Sequence, residues 1–350
     1  MSDTNMKTLK IAMEEHIALP EVLKQLETST ALFDGHQGGY FSGARAELRT
    51  RLLDVHGQML ADMDATGIDI TILSLNANGI QAVPVKQQAI DMARRANDYL
   101  AEQVAKNPWR FQALAALPLQ DPDEAAREMV RCVKELGFRG ALVNGFSQVG
   151  TEDSTAYLDL PQYWDFWGTV ESLDVPFYLH PRDPMPNATP FLDGHPWLLN
   201  SRWAFTIETS SHALRLMASG LFDKYPKLNI ILGHLGETLP NTIWRIDHRI
   251  ACMPPRGIPA KKKLEEYLRH NFYVTTSGNF CTTTLLNTIQ SMGVDRVLYA
   301  VDYPYEKMSE AAEWFDRIDI ISESDWNKIA RVNAEKVFKL DAARTTAASA

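Results

Sequence analysis

Short apolar runs alternate with amphipathic stretches along the chain, and this alternation predicts βα units around a parallel sheet. Several of the runs are almost wholly apolar, as is typical of strands covered on both faces. We predict these strands: Leu9–His16, Ile70–Leu75, Phe111–Leu119, Gly140–Asn144, Pro176–His180, Asn229–His234, Phe272–Ser277 and Arg296–Asp302. Eight strands with intervening helices favour an α/β fold of the (β/α)8 TIM-barrel class. A doubly wound open sheet is the alternative, but no GxGxxG motif follows any of these strands.

The stretches between the strands carry helical periodicity and helix-terminating signals. In Ala89–Val104 the apolar residues recur every three or four positions, which predicts an amphipathic helix. Asp121 precedes a proline and a second aspartate, a typical helix start, and Gly137 is expected to end that helix after about Leu136.

Two long connections interrupt this rhythm, at Thr28–Ala46 and Pro181–Trp203. Segments of this length are usually lids or disordered inserts, and their aromatic residues favour ordered lids over tolerated surface loops. We therefore predict one barrel domain over residues 1–340 with loop insertions above its carboxyl-end rim. Residues 341–350, rich in alanine and threonine, are expected to form a disordered tail.

Composition and charge exclude several classes of function. Hydrophobic residues make up 45% and charged residues 23%, which is typical of a globular domain. The formal net charge of −9 argues against nucleic acid or an anionic membrane as the main partner. Cys132, Cys252 and Cys281 are far apart and form no CxxC pair, as expected of reduced thiols. With no apolar run long enough to span a bilayer and a polar N-terminus, we expect a cytoplasmic protein.

Four of the predicted strands end in acidic or imidazole side chains. The residues at these ends are Glu14, His16, His180, His234, Glu237 and Asp302. Because side chains alternate across a strand, Glu14 and His16 share one face and Glu15 the other. Barrel active sites lie at this rim, and carboxylate with imidazole suits Zn²⁺, Mn²⁺ or Fe²⁺. One such strand end alone is commonly a structural residue or a helix cap, whereas four together predict a metal site.

Other polar residues have weaker signals. Glu208 and His212 are one helical turn apart, so they form either a helix-surface pair or part of the pocket wall. Arg245, Asp247 and His248 lie in a tryptophan-containing helix and are expected in an interface or in a network behind the site.

The strand-end residues belong to longer motifs that resemble the metal-dependent decarboxylases of the amidohydrolase superfamily. The motifs are Glu14-x-His16, His180-Pro-Arg, Leu232-Gly-His-Leu-Gly-Glu237 and Val301-Asp-Tyr-Pro. The resemblance extends from about Leu9 to Leu340. Within the superfamily it is strongest to the branch that acts on 2,6-dihydroxybenzoate, and His16 supports that branch over the relatives acting on 2,3-dihydroxybenzoate or salicylate.

The resemblance implies a set of site residues and a cofactor. One divalent ion, Mn²⁺ or Zn²⁺, would be bound without any organic cofactor by Glu14, His16, His180 and Asp302. Asp302 would also move the proton, and His234, held by Glu237, would lie beside the substrate.

The resemblance also implies the reaction, a reversible, non-oxidative decarboxylation of an ortho-hydroxybenzoate. The expected substrate is 2,6-dihydroxybenzoate, with resorcinol and CO₂ as products. We also expect Phe33 and Trp197 of the two predicted lids to pack on its ring, next to His180 and His234. We expect a homo-oligomer, either a dimer or a tetramer.

Three alternative functions stay open. The first is a decarboxylase of 2,3-dihydroxybenzoate or salicylate. The second is a hydrolase or lactonase of the same superfamily. For such a hydrolase, a site for one metal ion is favoured over a site for two. Binuclear relatives have a metal-bridging lysine at the end of strand four, whereas predicted strand four ends here in Asn144. The third is a catalytically inactive barrel, which the retention of every ligand type disfavours.

Overall fold

Eight parallel strands form the centre of the molecule in the computed structural model, which describes residues 9–20, 23, 45–185, 190–253 and 258–340. The strands are β1 (Lys10–Ile17), β2 (Ile68–Leu75), β3 (Phe111–Ala113), β4 (Ala141–Asn144), β5 (Phe177–His180), β6 (Ile230–Leu232), β7 (Phe272–Thr275) and β8 (Val297–Leu298). Most of the first predicted lid and the predicted tail over residues 341–350 lie outside the described residues.

Helices follow the strands in chain order. They are α1 (Arg45–Leu53), α2 (Leu60–Thr66), α3 (Lys86–Lys106), α4 (Pro122–Lys134), α5 (Trp164–Leu173), α6 (Ala204–Ala218), α7 (Leu221–Lys224), α8 (Leu239–Cys252), α9 (Leu264–Asn271), α10 (Thr282–Met292), α11 (Met308–Asp316), α12 (Glu323–Asn327) and α13 (Asn333–Phe338). The two helices predicted in detail are confirmed as α3 and α4. The Asp121 carboxylate caps α4 by accepting from two backbone N–H groups of its first turn.

The strands pair in sequence order, which is the arrangement of a barrel. Parallel ladders join β1, β2 and β3 in one sheet and β4 to β8 in a second. A parallel bridge between Ala115 and Ala141 connects the sheets on one side. On the other side, the His16 N–H donates to the carbonyl of Tyr303 at 2.7 Å, beside the end of β8. The predicted (β/α)8 architecture is therefore the one observed.

The barrel interior is a packed apolar core below a polar rim. Inward-facing residues of the strands, such as Met13, Ile72 and Ile231, pack together with Phe338 of α13. The residues preceding α13 approach the starts of β1 and β2, where Arg331 pairs with Asp69 at 3.0 Å. Apolar side chains thus fill the barrel interior, and the cluster of Glu14, His16, His180 and Asp302 lies at its carboxyl end.

Strand ends are where the predicted bounds differ from the observed ones. β6 and β8 end before His234 and Asp302, although both residues were predicted to end strands. Their φ angles are 53° and 79°, so the backbone turns out of the extended conformation there. β3 is also shorter than predicted, because beyond Ala113 the pairing continues only as the single bridge at Ala115.

No helix in the described parts of the chain is long and apolar enough to cross a bilayer.

Candidate metal centre and active site

The four residues predicted as metal ligands meet at the carboxyl end of the barrel. One ligand atom each from Glu14, His16, His180 and Asp302 lies within 4.8 Å of the others. His16 Nε2 is 3.3 Å from Asp302 Oδ1, and His180 Nε2 is 3.5 Å from Glu14 Oε1. The barrel thereby brings together residues that are far apart in the sequence.

A β-bulge in β1 places Glu14 in this cluster. The register with β2 shifts between Met13 and Glu15, and Glu14 itself has a φ of 94°. The Glu14 carboxylate is fully buried and accepts hydrogen bonds from the Tyr178 hydroxyl and, at 3.1 Å, from Thr275 Oγ1. The bulge therefore aims a carboxylate into the barrel, where two hydroxyls orient it.

Tyr178 and Thr275 belong to the site but were not predicted from the sequence. A signal was present for Tyr178, because it precedes His180 by two positions and shares its inward face on β5. Thr275 is the last residue of β7, which ends in a run of hydroxyl side chains.

The donor set fits a divalent cation. Glu14 Oε1 and His16 Nε2 are buried and have no hydrogen-bond partner, a costly arrangement unless they bind something. The other nitrogens of the two imidazoles are engaged: His16 Nδ1 lies 3.0 Å from Ser74 Oγ, and His180 Nδ1 lies 2.9 Å from the Pro181 carbonyl. These bonds leave Nε2 of each ring for a metal. Burial also lowers the pKa of His180 well below 6.5, which keeps it neutral for ligation.

His234 and Glu237 form the wall of the site next to Asp302. His234 Nδ1 is 2.6 Å from Glu237 Oε1, while its Nε2 is 3.7 Å from Asp302 Oδ2. Glu237 is held in turn by Thr206, whose Oγ1 donates at 2.8 Å. Burial lowers the pKa of His234, but the charges of Glu237 and Glu14 outweigh it, so the pKa lies well above 6.5. Burial likewise raises the pKa of Asp302, but the neighbouring imidazoles of His16 and His234 bring it below its usual value.

The predicted lid residues have different positions. Phe33 lies outside the described residues. Trp197 is 61% exposed, and its ring contacts that of His195 with centroids 6.3 Å apart. The second lid contains short helical turns, and the Asp183 carboxylate accepts from the Asn200 N–H at 2.7 Å, which ties its two ends together.

Two further groups of polar residues hold segments of the fold and are not members of the cluster. The helix-surface interpretation of Glu208 and His212 is wrong, because both are buried on α6. His212 Nε2 accepts from the Leu158 N–H at 3.0 Å, and Glu208 Oε2 accepts from the Tyr157 hydroxyl at 3.0 Å, so the pair anchors the segment after β4. Asp247, expected in an interface or a network behind the site, instead caps α9, accepting from two backbone N–H groups at 2.9 Å.

The burial of His212 predicts an acid-sensitive contribution to stability. Burial lowers its pKa to about 3, whereas an unfolded chain protonates histidine below about 6.5. The unfolded state therefore binds the extra proton in this window, and the free energy of unfolding falls with decreasing pH by up to about 1.4 kcal/mol per unit. Urea unfolding between pH 6.5 and 4.5 should show a shallower pH dependence for His212→Gln than for the unmodified protein. Equal slopes would contradict this prediction.

Comparison with known proteins identifies the family. The amidohydrolase family model matches residues 54–340. The chain is 55% identical over 337 residues to gamma-resorcylate decarboxylase of Rhizobium sp., covering 95% of this chain and 99% of the relative. The chain belongs to the amidohydrolase family, and the resemblance found in its strand-end motifs is confirmed.

Solved structures of decarboxylases are similar to this chain in both sequence and fold. 2,6-Dihydroxybenzoate decarboxylase in complex with 2,6-dihydroxybenzoate is 54% identical, with a TM-score of 0.89 and coverage of 96% of this chain and 100% of that chain. Dihydroxybenzoic acid decarboxylase of Polaromonas sp. JS666, with bound manganese and the inhibitor 2-nitroresorcinol, is 53% identical, with a TM-score of 0.89 and coverage of 96% and 99%.

Proposed function

We propose that this protein is a metal-dependent, non-oxidative decarboxylase that converts 2,6-dihydroxybenzoate reversibly to resorcinol and CO₂. The observation that carries the proposal is the buried cluster of two carboxylates and two imidazoles, in which Asp302 also faces His234. The substrate is assigned from relatives more than half identical over nearly their full length. They favour 2,6-dihydroxybenzoate over the alternative hydroxybenzoates and over a hydrolase.

The metal site would hold one divalent ion, and manganese in a relative with 53% identity supports Mn²⁺ over Zn²⁺. Glu14, His16, His180 and Asp302 are the ligands in this proposal. When bound, such an ion supplies a Lewis acid that lowers the pKa of a phenol beside the carboxylate and orients both groups. We propose no organic cofactor.

The chain's own residues would supply the proton and the geometry. We assign to Asp302 the delivery of a proton to the ring carbon that carries the carboxylate, which breaks the aromaticity of the ring. The C–C bond then breaks, its electron pair returns to the ring and restores aromaticity, and the carboxylate leaves as CO₂. Because the pKa of Asp302 is lowered and that of His234 is raised, His234 is the neighbour that can supply this proton to the Asp302 carboxylate, and its Nε2 lies 3.7 Å from Asp302 Oδ2. Glu237 keeps the imidazole in place through its bond to Nδ1. With His180, His234 would also border the substrate.

We also propose a domain organisation, an oligomeric state and a location for the enzyme. Residues 1–340 would form one domain, the enzyme would be a dimer or tetramer, and it would act in the cytoplasm.

The two long connections would cover the rim and exclude water from the pocket, which strengthens electrostatic interactions there. Phe33 and Trp197 are the residues of these lids that we assign to the substrate ring.

The assignment of Trp197 predicts a binding defect. Trp197→Ala should raise KM for 2,6-dihydroxybenzoate about fivefold with little change in kcat, because one aromatic contact contributes about 1 kcal/mol. Trp109→Ala is the matched control, since Trp109 is similarly exposed and precedes β3 at the opposite end of the barrel. Steady-state kinetics distinguish the two, and an unchanged KM in Trp197→Ala would remove this residue from the site.

A panel of hydroxybenzoates tests the substrate. We expect 2,6-dihydroxybenzoate to have the highest kcat/KM, and salicylate to be about tenfold slower because it lacks one hydroxyl hydrogen bond. 4-Hydroxybenzoate should be at least about 100-fold slower, since its hydroxyl cannot reach the ligands that hold the carboxylate. CO₂ release measures each rate. Comparable turnover of 4-hydroxybenzoate would contradict the requirement for a hydroxyl ortho to the carboxylate. A preference for 2,3-dihydroxybenzoate would contradict only the assignment of 2,6-dihydroxybenzoate as the substrate.

A further inference from the structure

Glu15 is a fully buried carboxylate between two of the proposed metal ligands. Its side chain leaves β1 on the face opposite to the cluster and points toward the end of β8. There Oε1 accepts from the Val301 N–H at 2.9 Å, and Oε2 accepts from the Tyr303 N–H at 3.0 Å. One side chain thus satisfies the backbone donors on both sides of Asp302.

This side chain takes the place of a missing strand pairing. β8 is only two residues long and forms a ladder with β7, but no ladder joins it to β1 within the described residues. Beyond β8 the chain is tied to the segment that follows β7: the Thr276 hydroxyl bonds to the N–H and carbonyl of Ala300, and the Gly278 N–H donates to the Val301 carbonyl at 3.2 Å. On the side of β1 its backbone is held by the two bonds to the Glu15 carboxylate and by the bond from the His16 N–H to the Tyr303 carbonyl.

The segment held in this way has an unfavourable backbone conformation at its centre. Asp302 has a φ of 79°, in the left-handed region that residues with a Cβ atom seldom adopt. Such a conformation persists only when the surrounding structure determines it. Fixing the residues before and after Asp302 fixes the direction of its carboxylate, which lies 3.3 Å from His16 Nε2 and 3.7 Å from His234 Nε2.

We propose that Glu15 is a positioning residue for Asp302. Its carboxylate holds the backbone on both sides of Asp302, so that the Asp302 side chain faces the metal site and the substrate. This inference rests on the role proposed above for Asp302, and it adds a residue that touches neither metal nor substrate. A structural function alone, closure of the barrel between β8 and β1, would alter stability without altering the site.

Glu15→Gln tests the proposal, because the amide keeps one acceptor oxygen and turns an N–H donor toward the other backbone N–H. Asp247→Asn is a matched control: its carboxylate also accepts from two backbone N–H groups, but at the start of α9. The Mn²⁺ dissociation constant of the metal-stripped full-length chain, kcat for 2,6-dihydroxybenzoate at saturating Mn²⁺, and Tm are measured for both variants.

We expect Tm to fall in both variants. Only Glu15→Gln should raise the Mn²⁺ dissociation constant or lower kcat by at least tenfold. In Asp247→Asn, the Mn²⁺ dissociation constant and kcat should both stay within twofold of those of the unmodified protein. Values within twofold for Glu15→Gln, or equal losses in the two variants, would overturn the proposal. If Glu15→Gln does not fold, Glu15→Asp is measured in its place. The aspartate side chain is too short to reach both backbone N–H groups, so unchanged Mn²⁺ affinity and kcat in Glu15→Asp would also overturn the proposal.

The Mn²⁺ measurement separates this inference from the proposed reaction. If the unmodified protein does not decarboxylate 2,6-dihydroxybenzoate, the proposed function fails. The difference in Mn²⁺ affinity between Glu15→Gln and Asp247→Asn still decides whether Glu15 positions Asp302.

Discussion

Replacement of Asp302 by asparagine is expected to lower kcat for 2,6-dihydroxybenzoate by about 10²–10⁴-fold, the usual contribution of a positioned general acid. Asparagine has the shape of aspartate and keeps one oxygen that can bind a metal, but it has no proton to transfer. The variant should therefore retain measurable Mn²⁺ binding and should bind a non-reactive substrate analogue. Loss of turnover with binding retained is the result that identifies Asp302 as the proton donor.

The proton transfer itself can be followed in deuterium oxide. The unmodified enzyme should exchange deuterium into resorcinol at the carbon that carried the carboxylate, and Asp302→Asn should not. Asp69→Asn is a suitable control, because Asp69 is a buried aspartate near the start of β2, paired with Arg331 at 3.0 Å. Exchange at an undiminished rate in Asp302→Asn would assign the proton donor elsewhere, with His234 as the nearest candidate.

Replacement of His180 by alanine should weaken Mn²⁺ binding by at least about 100-fold, the upper end of what the loss of an outer-shell partner costs at metal sites. His180 is at the end of β5, and its Nδ1 is already engaged by the Pro181 carbonyl. Its Nε2 is thus free for a metal, and no other imidazole on β5 can replace it. Activity should fall together with the metal content, while the far-ultraviolet circular dichroism spectrum stays that of the unmodified protein.

The matched control for this variant is His212→Gln. His212 is as deeply buried as His180, but it contacts the segment after β4 rather than the cluster. This variant should lose stability and keep its Mn²⁺ affinity. Normal metal content in His180→Ala, measured by inductively coupled plasma mass spectrometry, would show that His180 is not a ligand.

Backbone conformation at the site explains why these side chains converge. Glu14, His234 and Asp302 all have positive φ angles, at 94°, 53° and 79°. Residues with a Cβ atom avoid this region, and such conformations cluster where a structure holds functional groups in place. Each of them lies at a bulge or just beyond a strand end, so the departure from regular β-structure is what turns the side chain toward the cluster.

The apolar runs predicted the barrel from the sequence alone, and the polar residues that follow them predicted a metal site on its rim. Continuous apolar runs identify strands because both faces of such a strand are covered, and the parallel order places all their carboxyl ends on one rim. Side-chain alternation also assigned Glu14 and Glu15 to opposite faces, as observed. These features depend on local residue order, which a single sequence contains.

Only the tertiary structure decided which groups support those ligands. Tyr178 and Thr275 bind Glu14, Glu15 reaches the end of β8, and His212 is buried rather than exposed, because of contacts between segments distant in the sequence. The early ends of β6 and β8 have the same origin. A left-handed residue such as His234 or Asp302 is unfavourable by its own conformational preference, and the packing and hydrogen bonds of the folded barrel impose it.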